Sequence, residues 1–252
     1  MRKYKKIIVA NWKMNPENLD EAKNILNSIK RISKNISNTQ VIVCPPFIYL
    51  SSLYKTFSPH FFLGAQNAHH ETIGPFTGEV SFSQLRQFKV SHVIVGHSER
   101  RKMGESDEMI NKKIKSITSA HMTSILCVGE KVRDVQGDYL SVVRSQIIEG
   151  LRDVNKKSVD NIIIAYEPVW AIGGNEAMHS RDIHEMSIFI KKVLREIYGV
   201  IGDGIKILYG GSINSHNSDE TIKYGNVSGL LIGHESLRPK DFSEILESID
   251  RT

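Results

Sequence analysis

Cysteine is scarce in this chain. Its 252 residues contain two, Cys44 and Cys127, and neither stands in a Cys-x-x-Cys spacing. That excludes a disulfide framework and reads as two small buried apolar side chains in a reducing compartment. Long apolar runs are missing as well: nothing approaches the ~20 residues that span a bilayer. Arg2, Lys3, Lys5 and Lys6 look like the basic start of a signal peptide, but Ile7 to Ala10 is too short for its apolar centre, and Asn11 and Lys13 interrupt it. A cytoplasmic protein with no membrane contact is expected. Charge of one sign is also lacking, with 33 Lys+Arg against 28 Asp+Glu and a net +5. This mild excess suits small anionic substrates. The one compact basic run of the interior, Arg100–Arg101–Lys102, has no interleaved aromatics. It is read as the ion-paired or solvated start of a helix, and no nucleic-acid partner is expected.

What the chain does have is eight short apolar runs rich in β-branched residues: Lys6–Ala10, Gln40–Cys44, Phe61–Gly64, His92–Val95, Thr123–Val128, Asn161–Ala165, Ile205–Leu208 and Gly229–Ile232. Most are continuous rather than alternating, the pattern of strands buried on both faces in a parallel sheet. Amphipathic stretches of helical period lie between most of them. Ala22, Ile25, Leu26, Ile29 and Ile32 share one face of a helix predicted over Leu19–Ile32; a second is predicted over Met186–Ile197, with Gly199 as its stop. Eight runs in 252 residues leave room for one βα unit each. There is no Pro/Gly/Ser-rich linker and no break in composition. The expected architecture is a single-domain α/β fold over residues 1–252, a (β/α)8 barrel. A doubly wound open sheet is the rival. It needs a glycine-rich turn after its first strand, and here that turn reads Asn-Trp-Lys-Met.

In parallel βα folds chemistry gathers at the carboxyl ends of the strands. Directly after the runs come Asn11 and Lys13, His97 and Glu99, Glu167, the Tyr-Gly-Gly-Ser of 209–212, and Gly233–His234. Singly, each has a plain reading as a surface lysine, a hydrogen-bonded histidine or a turn glycine. Glu167 stands out, because Pro168 biases it to an extended conformation and stops the strand turning into helix there. A carboxylate held at such a half-buried edge suits a general base. Gly210, Gly211 and Ser212 before a helix can cradle a phosphate. Closed into a barrel, the set places a cation, an imidazole, a carboxylate and two glycine-containing turns on one rim, which points to proton transfer on a phosphorylated substrate.

Eight segments carry a resemblance over nearly the whole length: NWKMN (11–15), AQN (65–67), FTGEVS (76–81), VGHSERR (95–101), GESDE (104–108), AYEPVWAIG (165–173), YGGS (209–212) and GLLIGHESL (229–237). In this combination, order and separation the chain resembles the triosephosphate isomerase family. The resemblance implies a homodimeric barrel enzyme without cofactor or metal that interconverts dihydroxyacetone phosphate and glyceraldehyde 3-phosphate. It makes Glu167 the base, His97 the electrophile at the carbonyl, and Lys13 the fixed charge toward phosphate and enediolate. Asn11 orients Lys13 and the substrate oxygens, and Glu99 lies behind the cluster. This family is itself the standing example of a neutral catalytic imidazole beside a helix N-terminus.

The same resemblance implies a lid made of Pro168, Val169, Trp170, Ala171, Ile172, Gly173, Gly174, Asn175, Glu176, Ala177 and Met178. Backbone groups of Gly173, Ser212, Gly233 and His234 are to hold the phosphate. The segment from Gln66 to Glu79 resembles a loop that projects into a neighbouring subunit, with Thr77 near the partner's site. The chain also departs from the family. Where Gly-Thr-Gly-Lys-Thr is usual, the lid reads Gly-Gly-Asn-Glu-Ala, and the frequent Gly-Gly after the eighth strand is Gly233–His234, followed by Glu235. Another phosphosugar-binding barrel enzyme and a non-catalytic barrel scaffold are the alternatives. Both are disfavoured because Lys13, His97 and Glu167 all survive in their motifs.

Overall fold

A computed structural model describes residues 5–55, 61–172 and 177–252. Its eight strands are β1 (Lys6–Asn11), β2 (Thr39–Cys44), β3 (Phe61–Ala65), β4 (His92–Val95), β5 (Thr123–Val128), β6 (Ile162–Tyr166), β7 (Lys206–Tyr209) and β8 (Gly229–Ile232). Each lies within about one residue of an apolar run. They pair in parallel in chain order, and β8 closes onto β1, with Ile7 opposite Gly229 and Ala10 opposite Ile232. That closure excludes the open doubly wound sheet and gives the (β/α)8 barrel.

The period of two along a strand sorts the side chains. Ile7, Val9, Ile42, Cys44, Ile94, Ile125, Cys127, Ile163, Ala165, Leu208 and Leu231 form one buried cluster inside the barrel. The intervening residues, such as Ile8, Ala10, Val41 and Val43, join a larger cluster with the helices. Both faces are therefore apolar, which is why the runs do not alternate.

The helices are α1 (Leu19–Ser33), α2 (Phe47–Leu53), α3 (Phe82–Gln87), α4 (Ser98–Lys102), α5 (Asp107–Ser119), α6 (Asp138–Leu151), α7 (Ser180–Tyr198), α8 (Ser218–Tyr224) and α9 (Pro239–Arg251). Helix α1 starts where Asn18 Oδ1 accepts the Glu21 N–H at 2.9 Å, and carries Asp20 and Glu21 in its first turn and Lys30 and Arg31 in its last. Cap and charges both favour the helix at that place. It buries Ala22, Ile25, Leu26 and Ile29, the face read from the sequence. Helix α7 begins six residues before the expected Met186. Its first six residues, Ser-Arg-Asp-Ile-His-Glu, hold one apolar side chain, Ile183, so periodicity had no second point to register there. The run Arg100–Lys102 falls in α4, as an ion-paired and backbone-bound element. Arg101 pairs with Asp107 at 2.6 Å and donates to the carbonyls of Gly96 at 2.7 Å and Cys127 at 3.2 Å.

At the opposite end of the barrel, β4 carries a buried histidine. His92 Nδ1 lies 2.7 Å from Ser91 Oγ, and Phe62 meets the ring edge-on. Burial pushes its pKa down to about 4. The unfolded chain therefore binds a proton that the folded one refuses between about pH 6.5 and 4. Stability should be fully present above that window and decline as the pH falls through it, by up to about 3 kcal/mol from this group. Urea unfolding at pH 7.5 and 4.5 checks this: His92→Phe should flatten the difference, and an unchanged pH dependence would remove His92 as its source.

Candidate active site

A cavity of about 380 Å3 opens at the carboxyl ends of the strands, lined by Asn11, Lys13, His97, Glu167, Ile172, the segment 210–214, Leu231, Gly233, His234 and Glu235. Residues from all five strand ends thus meet around one space, while Glu99 lines the neighbouring cavity and not this one. A larger cavity of about 790 Å3 lies beyond Glu167 and Ile172, between α4, the turn after β5 and α6. Its lining is largely apolar and includes neither Lys13 nor His97, so the smaller cavity holds the reacting groups.

Lys13 sits just past β1 with φ 53, a left-handed conformation that side chains other than glycine avoid. Two neighbours hold it there. Asn11 Oδ1 accepts its N–H at 3.1 Å, and Gln66 Nε2 donates to its carbonyl at 2.8 Å and to that of Cys44 at 2.9 Å. The ammonium group reaches Glu99 Oε1 at 2.7 Å. Glu99 is half exposed, and its other oxygen lies 3.7 Å from His97 Nδ1.

His97 lies two residues past β4, where it caps the start of α4, and is buried. Its Nδ1 accepts the backbone N–H of Glu99 at 3.2 Å, and its Nε2 lies 3.2 Å from Glu167 Oε1. A proton on Nδ1 would face the amide hydrogen, so the ring carries its proton on Nε2 and points it at Glu167. Burial favours the neutral imidazole; against it, the Glu167 carboxylate raises the pKa above the ordinary histidine value. This rise belongs to the direct Glu167 contact.

Glu167 follows β6 and is 3% exposed. Its N–H donates to Val128 carbonyl at 2.7 Å. Two glycines make room for it: a Cβ at Gly129 would stand 1.8 Å from the Glu167 carbonyl oxygen, and one at Gly210 would stand 2.8 Å from its Cγ. Oxygen Oε1 faces His97, while Oε2 is buried with no hydrogen-bond partner among the described residues. Cys127, read from sequence as inert filling, lies close enough for that carboxylate to matter. Burial first, and the Glu167 charge second, hold its thiol protonated well above the ordinary range.

The first half of the lid is anchored. Val169–Ala171 form a 3-10 turn, Trp170 Nε1 donates to Glu130 Oε1 at 2.9 Å, and Tyr166 Oη donates to the same carboxylate at 2.9 Å. Ser212 lies at the lid's foot, its hydroxyl donating to the Ala171 carbonyl at 2.7 Å. Gly173, Gly174, Asn175 and Glu176 lie outside the described residues, so the lid's glycine donor and its unusual charge have no placement here. Thr77 is exposed and does not line the cavity.

The family model for triosephosphate isomerase matches residues 6–249. The chain belongs to the triosephosphate isomerase family. A protein of that name from Dictyoglomus turgidum is 38% identical over 249 residues, covering 97% of this chain and 99% of the relative. Those from Dictyoglomus thermophilum and Aquifex aeolicus are each 39% identical over the same shares of both chains. Sequence reasoning singled out Asn11, Lys13, His97, Glu99 and Glu167, gave no role to Gln66 or Glu130, and read Cys127 only as buried filling. Gln66 lies inside a quoted motif (AQN) and Glu130 two residues past β5, so both could have been flagged as polar residues at strand ends. Cys127 gave no such signal.

Proposed function

We propose that the cavity isomerises a triose phosphate, interconverting dihydroxyacetone phosphate and glyceraldehyde 3-phosphate. The observation that carries this reading is the pairing of a buried carboxylate, Glu167, with an Nε2–H donor on His97 at 3.2 Å. Removing a proton α to a carbonyl needs a base on carbon and a donor at oxygen, held together. Glu167 takes the proton from one carbon and returns it to its neighbour. His97 donates toward the oxygens of the enediolate, and Lys13 offsets the negative charge that develops there. Asn11, fixed on the Lys13 amide, keeps that lysine turned inward. The phosphate lies at the opposite end, against backbone groups of Ser212, Gly233 and His234. Its binding energy can drive closure of the lid. Closure keeps water from the enediolate, which otherwise loses phosphate to give methylglyoxal. A coupled assay in both directions tests the activity, and purified chain that turns over neither triose phosphate would refute it.

The reading includes a homodimer in a reducing, cytoplasmic setting. Both cysteines are buried free thiols. Met14, Ile73 and Met103 are 94%, 86% and 81% exposed, and near Ile73 the Phe76 ring lies tilted against His69. Such apolar side chains on projecting loops fit burial against a second copy. The loop's root supports that role: Lys113, buried, donates to Asn67 Oδ1 at 2.8 Å and pairs with the buried Glu105, tying the root to α5. Sedimentation at assay concentration should find a dimer, with Thr77→Arg dissociating it and lowering activity. A fully active monomer would refute the dimer and leave the chemistry standing.

A further inference from the structure

The segment between β3 and α3 folds around three rings. His69 draws its two ends together: the His69 N–H donates to the Val80 carbonyl at 2.8 Å, and the residue bridges to Ser81. The His69 and His70 rings are stacked, with centroids 4.5 Å apart and planes 27° from parallel. Phe76 lies tilted against His69 with centroids at 4.1 Å. Gly74 leaves room for that ring, since a Cβ there would stand 2.5 Å from Phe76 Cε2. His69 Nδ1 accepts the Glu71 N–H at 3.1 Å. These contacts position Ile73 and Phe76, two apolar side chains of the surface assigned above to a second copy. None of the three rings belongs to either core cluster of the barrel.

The stack is built for neutral imidazoles. A proton on His69 Nδ1 would face the Glu71 N–H, and two imidazolium rings at 4.5 Å would repel each other. On its own segment His70 faces His69 and Glu71, whose Oε1 lies 3.7 Å from His70 Nε2. From α5 it faces Lys112 and Lys113. Lys112 is paired with Glu108 at 2.8 Å, and Lys113 with the buried Glu105. Burial does most to hold the His70 pKa below its ordinary value; His69, Lys112 and Lys113 act in the same direction, and Glu71 acts against them. An opened segment therefore binds a proton that the folded segment refuses. The folded shape is fully favoured above about pH 6.5 and loses ground as the pH falls below it.

We propose that the His69–His70–Phe76 stack is an acid-sensitive clasp for the assembly of two copies of this chain. With both imidazoles neutral the segment presents Ile73 and Phe76 to the partner; protonation of His70 opens the stack and releases the pair, while the barrel stays folded. The proposal rests on the homodimer reading above and adds its regulation.

The test is sedimentation velocity from pH 8 to 5.5, with circular dichroism at each pH, on the native chain, His70→Phe and His70→Lys. The native dissociation constant should rise about tenfold between pH 7.5 and 5.5, each dimer having two segments to open. His70→Phe keeps a ring in the stack and cannot take a proton, so its dimer should hold across the range. His70→Lys carries its charge at every pH and should be as weak a dimer at pH 8 as the native chain is at pH 5.5. The dichroism should stay native throughout. His92 titrates in the same direction, but its effect is on unfolding and appears in the dichroism. A native dimer indifferent to pH, a His70→Phe dimer that dissociates as the native one does, or a His70→Lys dimer as tight as native at pH 8 would overturn the clasp and leave the homodimer standing. Dissociation that coincides with loss of the dichroism would also overturn it, since the barrel and not the segment would then be the acid-sensitive part. A native chain already monomeric at pH 8 would overturn the homodimer reading, and the clasp with it.

Discussion

Glu167→Gln should lower kcat by at least about 10²–10⁴-fold while leaving KM and the fold nearly unchanged, since a positioned general base contributes on this order. Glutamine has the shape of glutamate, so it fits the space left by Gly129 and Gly210, and its amide oxygen can still accept from His97 Nε2 at the 3.2 Å seen for Oε1. What disappears is the lone pair of Oε2, which has no partner among the described residues. A second readout goes with it. The Glu167 charge is what lifts the affinity of His97 for a proton against the effect of burial, so the His97 titration should move to lower pH in the variant. Coupled kinetics and histidine NMR check the two halves separately. Turnover near the native rate would remove Glu167 from the proton transfer, and an unmoved His97 titration would remove the contact as the cause of the rise.

Lys13→Met should damage both terms. Removing one preorganised charge from developing negative charge costs about 10²–10³-fold in kcat, and the loss of attraction to the phosphate raises KM as well. The fold should survive. Glu99, which loses its 2.7 Å partner, is half exposed and can be solvated, and the contacts that hold residue 13 in place come from Asn11 and Gln66 to its backbone. Steady-state kinetics with both substrates decides the matter. A rise in KM alone would make Lys13 a binder of ground and transition states alike, with no part in stabilising the enediolate.

The strands were legible because barrel strands are buried twice, once inside and once under the helices. The continuous run Thr123–Val128 is the strand β5, residue for residue. Helix α1 was legible because Asn18 and the acidic first turn coincide with the start of its apolar face. Helix α7 was legible only from Met186, since its polar first turn contacts the core through Ile183 alone. The candidate residues could be gathered because topology places every strand end on one rim, whatever the side-chain detail. Contacts that depend on the register between neighbouring strands were not legible. Cys127 pairs with Ala165 across β5 and β6, two residues before Glu167, and nothing in the local spacing of a lone cysteine reports that. The Trp170–Glu130–Tyr166 cluster depends on the same pair of strands. The Glu167–His97 contact spans β4 and β6 and needs the closed barrel to exist at all.

Lys13 occupies a backbone conformation that glycine adopts freely and lysine does not, at φ 53. The fold alone would be better served by a glycine at that position, and the chemistry alone forbids it. A variant library sorted for heat resistance or expression level would therefore enrich the loss of a residue whose charge the proposed reaction uses. Such a campaign on this chain must score turnover in every round, because at residue 13 robustness and catalysis are selected in opposite directions.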